Sequence, residues 1–336
     1  MSKELALFFK CYLDSHPVPA KSIAEHYGMD GDRLGRQYKE HLSGYRRWDQ
    51  RTHAEEWLLY PENIGRRLSL DETSPSQGEL YTVLTNKSAY NGKRAIVRGT
   101  RSEDVIRVLE RIPHRKRKRV REVTLDMANS MRRIATVCFP KAQVVIDRFH
   151  VQKLALDAAQ DERIRLRWKE IDNDNRLRRE ARSKGFRHEP LTFGNGDTRR
   201  ELLARSRYLL YKSPDDWTDS QKERARILFR EYPSINKAYT LANTLRQIFN
   251  RRSAKDSARL NLARWYNDVE NSDFDSFRSV MDTVREHHDE ILNYYNHCST
   301  NASAEQFNSK IKSFRKSLRG VKDIGFFFFR LCNIYA

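Results

Sequence analysis

The order of predicted secondary structure between residues 66 and 150 is the feature of this sequence that most constrains its fold. Arg66–Asp71 alternates between polar and apolar residues and predicts a strand, and Glu79–Thr85 and Arg94–Arg98 predict two more. The Asn91-Gly92 pair between the second and third strands is a strong hairpin signal. The segment therefore begins with three consecutive strands, which we expect to pair antiparallel.

Two helix–strand pairs follow these three strands. Ser102 caps a predicted helix, Val120–Leu125 predicts a fourth strand, Asn129–Cys138 a second helix and Ala142–Ile146 a fifth strand. The order β-β-β-α-β-α-β, completed by a later helix, is that of an α/β ribonuclease-H-like core. In that topology the fourth strand lies parallel to the first, on its open side, so residues at the ends of these two strands become neighbours.

The regions on either side of this core are predicted to be helical. The N-terminal helices Glu4–Ser15, Lys21–Tyr27 and the basic Arg33–Trp48 indicate a helix-turn-helix-like region, and the alternative is a small helical cap without DNA contact. We therefore divide the chain into a helix-turn-helix-like DNA-binding region (1–50), a linker (51–65), the first part of the core (66–150), an all-helical insertion (151–298) and a core completion that carries an acidic helix (299–336).

The net charge indicates a polyanionic partner. The 336 residues include 64 Lys and Arg against 45 Asp and Glu, which gives a formal charge of +19. Binding to nucleic acid would release condensed counterions from its phosphates. A hydrophobic content of 38% excludes wholesale disorder, and the four scattered cysteines exclude a disulfide scaffold. No apolar run approaches the roughly 20 residues of a membrane span, so we expect a cytoplasmic protein without membrane association.

Three acidic residues fall where this topology would bring them together. Asp71 ends the first strand, Asp126 follows the fourth, and Glu305 lies near the start of the helix that completes the core. Carboxylates in such a cluster suit two Mg2+ ions about 4 Å apart for in-line phosphodiester chemistry, and Mn2+ can substitute. Taken singly, each acid has an ordinary role: Asp71 would begin a turn, Asp126 would cap the next helix and Glu305 would stabilise a helix dipole.

Basic residues supply the candidate DNA contacts. On the acidic helix, Phe307, Ile311, Phe314 and Leu318 form an apolar stripe. A different face of the same helix carries Glu305, Asn308, Lys312 and Arg315. Solvated surface is the alternative for all the basic segments. The predicted DNA-binding residues are Asn308, Lys312 and Arg315 on that face, the run Arg115, Lys116, Arg117, Lys118 and Arg119, and Arg163, Arg165, Arg167 and Lys169 in the helical insertion.

The sequence resembles the DDE transposases of bacterial insertion sequences, specifically the ISL-three-type group, over about residues 66–330. The resemblance implies a ribonuclease-H-like core with a helical insertion, Mg2+-dependent cleavage and joining at transposon ends, and a homo-oligomer that cuts two ends together. Many relatives begin with a cysteine-rich zinc module, so here the N-terminal helices or a second polypeptide would supply end recognition. The matching stretches are Leu70–Ser74, Thr124–Met127, Phe139–Ala142, Val145–Val151 and Ser299–Lys312.

Asp147 and His150 form an Asp-x-x-His pair just after the fifth strand. Related cut-and-paste families carry a comparable pair, which implies a structural role or contact with the DNA end rather than metal ligation. We prefer Asp126 as the second metal ligand because its strand would lie beside that of Asp71, about 4.8 Å away. The strand that ends at Asp147 would lie one place further out.

Together these features predict a DNA transposase that catalyses Mg2+-dependent strand cleavage at transposon ends and strand transfer into target DNA. Its expected partner is double-stranded DNA. Two alternatives remain open. One is a catalytically inactive or domesticated DNA-binding protein on a transposase fold, and the other is a ribonuclease-H-like nuclease without joining activity.

Overall fold

The structure is a computed structural model that describes residues 2–76, 78–88 and 95–335. The chain divides into two compact units. The first, which we call the sheet unit, comprises the residues up to Asp147 together with those from Cys298 onward, and the second, the helical unit, comprises Arg148–His297. In the described part of the chain, no helix is both long and apolar enough to cross a membrane.

Three short helices open the sheet unit: α1 (Lys3–Ser15), α2 (Ala20–His26) and α3 (Gly31–Gln37). They enclose a small apolar core that includes Phe9 and Leu34. The predicted third helix, Arg33–Trp48, is wrong in its extent. After α3 the chain forms one π-helical turn at Tyr38–Leu42, and Gly44 then adopts a φ of +84°, which a continuing helix does not allow.

A six-stranded mixed sheet forms the centre of this unit, in the order β1-β4-β3-β2-β5-β6. The first four strands pair antiparallel, whereas β5 lies parallel to both β2 and β6. This arrangement confirms an α/β core with the predicted pairing, although β1 falls in the predicted linker. The predicted Asn91-Gly92 hairpin lies outside the described residues. The strands are β1 (Trp57–Leu58), β2 (Arg67–Ser76), β3 (Glu79–Asn86), β4 (Ala95–Arg98), β5 (Glu122–Leu125) and β6 (Gln143–Ile146).

Helices α4 (Ser102–Leu109) and α6 (Asn129–Cys138) alternate with the later strands, as predicted. Ser102 is the first residue of α4 rather than its cap, because the cap position belongs to Arg101. Between them, α5 (His114–Arg117) is a single turn that contains the start of the basic run.

The helical unit consists mainly of α-helices. Its first helix is 36 residues long. Among the described residues of this unit the only β-type pairing is an isolated bridge between Thr192 and Thr198, which agrees with the predicted all-helical insertion. The helices are α7 (Arg148–Ser183), α8 (Arg199–Arg205), α9 (Asp219–Glu231), α10 (Pro233–Asn250), α11 (Lys255–Glu270), α12 (Asp275–Glu286), α13 (His288–Leu292) and α14 (Tyr294–His297).

The last two helices, α15 (Ala302–Ser317) and α16 (Ile324–Tyr335), return to the sheet unit. The predicted stripe of α15 is confirmed: Phe307, Ile311 and Phe314 are buried in one core with residues of β3, β4 and α16. The guanidinium of Arg330 in α16 donates to three carbonyl oxygens between Leu13 and Val18, which fixes the N-terminal helices to the same core. α15 itself packs against β2 and β3 of the sheet.

Candidate active site

Strand register brings two of the predicted acids side by side. β2 and β5 pair in parallel, and their register runs from Arg67 opposite Glu122 to Ser69 opposite Thr124. Continued by two residues, this register places Asp71 beside Asp126. Neighbouring strands are about 4.8 Å apart, so carboxylates at this position can share a ligand.

Asp147 lies one strand further from Asp71. β5 pairs in parallel with β6 up to Leu125 opposite Ile146, and the backbone N–H of Asp147 donates to the carbonyl oxygen of Leu125 over 2.9 Å. The strand order that we used to prefer Asp126 is therefore confirmed. Asp147 is fully buried, and a buried carboxylate fits the structural role better than contact with a DNA end. His150 lies in the first turn of α7 and is half-buried.

Asn308 on α15 holds the first acid in place. Its side-chain Nδ2 donates to Asp71 Oδ2 over 2.8 Å and to the backbone oxygen of Glu72 over 3.1 Å. The side chain is buried. The DNA contact of Asn308 stays a prediction, and in the structure its donor group binds β2. Asn308 positions Asp71 and fixes α15 at this point of the sheet.

Glu305 lies one turn before Asn308 in α15 and is exposed. Residues three apart on a helix share a face, so Glu305 projects from the side of α15 that meets Asp71. Thr85 and Ser303 approach within 3.3 Å and bring β3 against the same turn. Among the described residues, no three His, Cys, Asp or Glu side chains are close enough to hold a metal ion. The structure thus places Asp71 midway along β2 and Asp126 directly after the neighbouring β5, and the described residues form no closed metal cluster.

The electrostatics of this edge suit a divalent cation. Burial, with the negative charges of Asp126 and Asp71, raises the pKa of Glu72 above its ordinary value. Both oxygens of Asp71 accept a hydrogen bond, Oδ1 from the N–H of Glu72 and Oδ2 from Asn308, whereas Asp126 Oδ1 accepts from the N–H of Ala128. Carboxylates gathered in a partly buried setting repel one another, and a bound cation relieves that repulsion. The hard oxygen donors fit Mg2+ or Mn2+.

Lys87 is a neighbour of this edge that no sequence pattern singled out. Its ammonium donates to Thr124 Oγ1 over 2.6 Å and lies 3.3 Å from Glu122 Oε1, on the strand that leads to Asp126. Burial lowers the pKa of Lys87, although the charge of Glu122 opposes that effect. Lys87 thus places a positive charge beside Glu122, on the strand that leads to Asp126. The residues at the end of β3 carry no local signal that could have indicated this interaction.

The predicted basic run separates into exposed and engaged residues. Arg115, Lys118 and Arg119 are exposed and available for phosphate contact. Lys116 donates to the carbonyl oxygen of Pro61, and Arg117 donates to those of Ile112 and Cys138, so both stabilise the loops around α5. On α15, Lys312 is exposed and Arg315 is half-buried.

The basic residues predicted on α7 divide in the same way. Arg163 is only 4% exposed and donates to Gln160 Oε1 over 2.6 Å and to the carbonyl oxygen of Leu203 over 2.9 Å. The DNA contact of Arg163 stays a prediction, and in the structure its guanidinium stabilises the interior of the helical unit. Arg165 is exposed but forms a two-bond pair with Glu162, and Arg167 is half-buried.

Comparison with known proteins identifies a matching family and similar curated proteins. The chain matches the model of a transposase family of the ISL3 type over residues 68–331. It is 26% identical over 196 residues to the transposase for insertion sequence element IS1557 of Mycobacterium tuberculosis, which covers 57% of this chain and 43% of that protein. It is 23% identical over 266 residues to the transposase for insertion sequence element IS1001 of Bordetella parapertussis, which covers 79% of this chain and 59% of that protein.

The chain spans about half the length of these curated relatives. No solved structure is significantly similar to it. The family match includes the strand with Asp71, the strand that leads to Asp126, the helical unit and the helix with Glu305. Because that match covers most of the chain, the protein belongs to the ISL3-type transposase family.

Proposed function

We propose that this protein is a DNA transposase with a ribonuclease-H-like core, in which Asp71, Asp126 and Glu305 are the catalytic metal ligands. The observation that carries the proposal is the parallel register of β2 and β5, which sets Asp71 beside Asp126 at the edge that α15 covers. Membership of a transposase family makes DNA the expected substrate. Strand cleavage, strand transfer and the metal dependence are parts of the proposal.

Each residue of the proposed site would have a distinct role. Asp71 and Asp126 hold the site from the sheet, and Glu305 closes it from the exposed first turn of α15. When bound, two Mg2+ ions would supply activation of the attacking oxygen and stabilisation of the leaving oxygen. Asn308 keeps the Asp71 carboxylate in one orientation through its 2.8 Å hydrogen bond. No side chain has to act as a covalent nucleophile.

DNA would be held by the exposed bases of the sheet unit. Arg115, Lys118 and Arg119 are the first candidates, and Lys312 lies on the helix that also carries Glu305. Such contacts fix the register of a duplex without reading its sequence. Recognition of the transposon end is assigned to the N-terminal helices or to a second polypeptide. A homo-oligomer would allow two ends to be cut together.

The test is cleavage of DNA that carries the inverted repeats flanking the protein's own gene. The full chain is incubated with Mg2+ or Mn2+, and nicks and joined products are mapped. We expect nicks at the repeat ends and joining to a target plasmid, and neither product with Asp71→Asn or Glu305→Ala. Asp104→Asn, which changes an acid of the same unit whose side chain is 44% exposed, is the matched control.

The same experiment separates the alternatives. Cleavage without joined products would indicate a ribonuclease-H-like nuclease, and binding without cleavage would indicate an inactive DNA-binding protein. Robust Mg2+-dependent cleavage by purified Glu305→Ala would remove Glu305 from the catalytic set.

A further inference from the structure

A cavity of about 400 Å³ opens in the helical unit. It lies between the start of α7, the segment after α8 and the end of α10. Its lining includes Phe149, Gln152, Lys153, Lys212, Asp216 and Arg246.

Two buried hydrogen-bond donors line this cavity without an acceptor. Gln152 is 7% exposed and Arg246 is 8% exposed. Gln152 Nε2 and Arg246 Nη1 have no hydrogen-bond partner among the residues that the structure describes. A buried donor left without an acceptor costs about 1–3 kcal/mol, and a ligand with acceptor oxygens in this cavity would offset that cost for both donors.

Arg246 is anchored by one side of its guanidinium. Its terminal nitrogen Nη2 donates to the carbonyl oxygen of Tyr211 over 2.7 Å. One arm of the guanidinium is therefore fixed by the protein, and the other terminal nitrogen, Nη1, has no hydrogen-bond partner among the described residues. Arginine in this arrangement favours the oxygens of a phosphate or carboxylate.

The charges at the cavity select an anion. Lys153, Lys212 and Arg246 are three bases against one acid, Asp216. Lys153 is exposed at the rim, whereas the ammonium of Lys212 lies 3.2 Å from Gln221 Oε1. Two buried donors and a basic rim together match a group that offers several acceptor oxygens and a negative charge.

An aromatic ring beside these donors distinguishes a nucleic acid from a free ion. Phe149 is 44% exposed at the cavity, and the guanidinium of Arg148 lies 4.9 Å from the centre of its ring. A free phosphate would leave this apolar ring and most of the cavity volume unused. A nucleotide beside a bound phosphate would cover the ring, and stacking on aromatic side chains is common in nucleic-acid binding.

We propose that this cavity binds one backbone phosphate of a DNA strand, with the adjoining nucleoside packed on Phe149. The proposal rests on the proposed function, because it names DNA as the ligand of the helical unit. Gln152 and Arg246 donate to the phosphate oxygens, and Lys153 adds charge at the entrance. The phosphate thereby satisfies both buried donors.

The experiment measures binding of the full chain to a labelled 30-nucleotide duplex and to the same single strand. Gln152→Leu should weaken binding about three- to tenfold, because it removes a hydrogen bond to a charged group. The same variant should unfold at an unchanged or higher temperature, because an unsatisfied buried donor is gone. The matched control is Gln247→Leu, an exposed residue of α10 beside Arg246 that does not line the cavity.

A second pair of variants does not depend on any buried residue. Lys153→Met should flatten the log–log dependence of affinity on salt by about 0.9 on the duplex. Lys184→Met changes an exposed base just after α7, outside the predicted DNA-binding residues, and should not change the slope. A free anion is tested by adding sodium phosphate at matched ionic strength and following thermal unfolding.

Each result decides one point. Weaker DNA binding by Gln152→Leu and Lys153→Met, with unchanged controls, supports the cavity. If the unsubstituted chain binds DNA and neither cavity variant differs from its control, the cavity assignment is overturned while the proposed function stands. If the chain binds no DNA, both are overturned. Phosphate stabilisation that Gln152→Leu abolishes, with DNA affinity unchanged, would assign the cavity to a free anion instead.

Discussion

Two sets of buried polar side chains in this protein differ in how fully the chain satisfies them. In the helical unit, Asp197 is completely buried and accepts hydrogen bonds from Asn195, Arg205 and Arg224. In the sheet unit, Ser69 Oγ, Thr73 Oγ1 and Asn308 Oδ1 are buried beside Asp71 without a hydrogen-bond partner among the described residues. The hydrogen bonds of the first set are made within the fold. The second set has buried polar atoms that can still bind another group.

The difference follows from the cost of burying polar atoms. A buried group without a partner costs stability, so most such groups in folded proteins are paired. A cluster that remains unsatisfied around a row of carboxylates therefore indicates a ligand site. A satisfied cluster such as that of Asp197 indicates a structural one. Other buried polar atoms of the helical unit, among them Arg167 Nε and Asn243 Oδ1, also have no hydrogen-bond partner among the described residues, and Gln152 and Arg246 are the two that line the cavity of the separate proposal.

The largest expected effect distinguishes the two aspartates that follow β5 and β6. Asp126→Asn should reduce strand cleavage about a thousandfold or more, comparable to removing a group that stabilises transition-state charge. Asp147→Asn should retain cleavage wherever it folds, because Asp147 lies one strand further from Asp71. Cleavage is measured at several Mg2+ and Mn2+ concentrations. Full activity in Asp126→Asn, with none in Asp147→Asn, would reverse the assignment.

The next effect tests the satisfied cluster of the helical unit. Asp197→Ala should destabilise the protein by about 3 kcal/mol, because removing one partner of a buried ion pair leaves the other uncompensated. Arg224 lies 2.9 Å from Asp197 and is mostly buried, so it carries most of this loss. Denaturant unfolding measures the change, with the exposed Asp219→Ala as the control. A loss no larger than that of the control would mean that the cluster does not stabilise the unit.

The same cluster predicts a pH dependence. Burial raises the pKa of Asp197, but hydrogen bonds from Arg224 and Arg205 outweigh it and hold the pKa below the ordinary 3.8. A carboxyl group whose pKa is lower in the folded state stabilises the fold above its unfolded pKa, and that contribution is lost as the pH falls through the folded pKa. Stability should therefore fall below about pH 4, and Asp197→Asn should show less of this fall. Parallel pH profiles for the two proteins would exclude this contribution.

A smaller effect tests the position of Asn308. Asn308→Ala should lower cleavage about 10- to 100-fold, the range seen when a group that orients a metal ligand is removed. Asn308→Asp tests whether a hydrogen-bond donor is needed at this position, because it replaces the amide that donates to Asp71 with a second carboxylate. The metal concentration that gives half-maximal cleavage should rise in both variants. Gln306→Ala, an exposed position on the same helix, serves as the control. An unchanged metal requirement would assign Asn308 a purely structural role.

The sequence predicted the sheet better than it predicted the side chains around the site. Alternation in Arg66–Asp71 and the strand that leads to Asp126 locate β2 and β5, and the period of Phe307, Ile311 and Phe314 locates the buried face of α15. These patterns are local, and topology then sets the acids side by side. The family resemblance supplied the link between the strands and the distant acidic helix.

Asn308 and Arg163, which the sequence predicts as DNA contacts, share one feature. Their hydrogen-bond partners in the structure lie far along the chain. Asn308 and Asp71 are separated by 237 residues, and the face of α15 alone does not show which one meets β2. Arg163 sits in a run of basic residues that is typical of an exposed helix, yet its acceptor is the backbone of Leu203 on another helix. The burial of Arg163 therefore results from tertiary packing. The helical spacing of residues in the sequence does not indicate such packing.

The smallest expected effect concerns the basic run around α5, where exposed and engaged bases are neighbours. Replacing Arg115, Lys118 and Arg119 by Gln should flatten the log–log salt dependence of DNA binding by about 0.9 for each phosphate that is no longer neutralised. Arg117→Gln should instead lower thermal stability with little change in that slope, because its guanidinium donates to the carbonyl oxygens of Ile112 and Cys138. Both variants are compared with the unsubstituted chain by titration at several salt concentrations. If Arg117→Gln flattens the slope as much as the exposed set does, accessibility does not decide which bases bind DNA, and the distinction between satisfied and available polar groups fails in this segment.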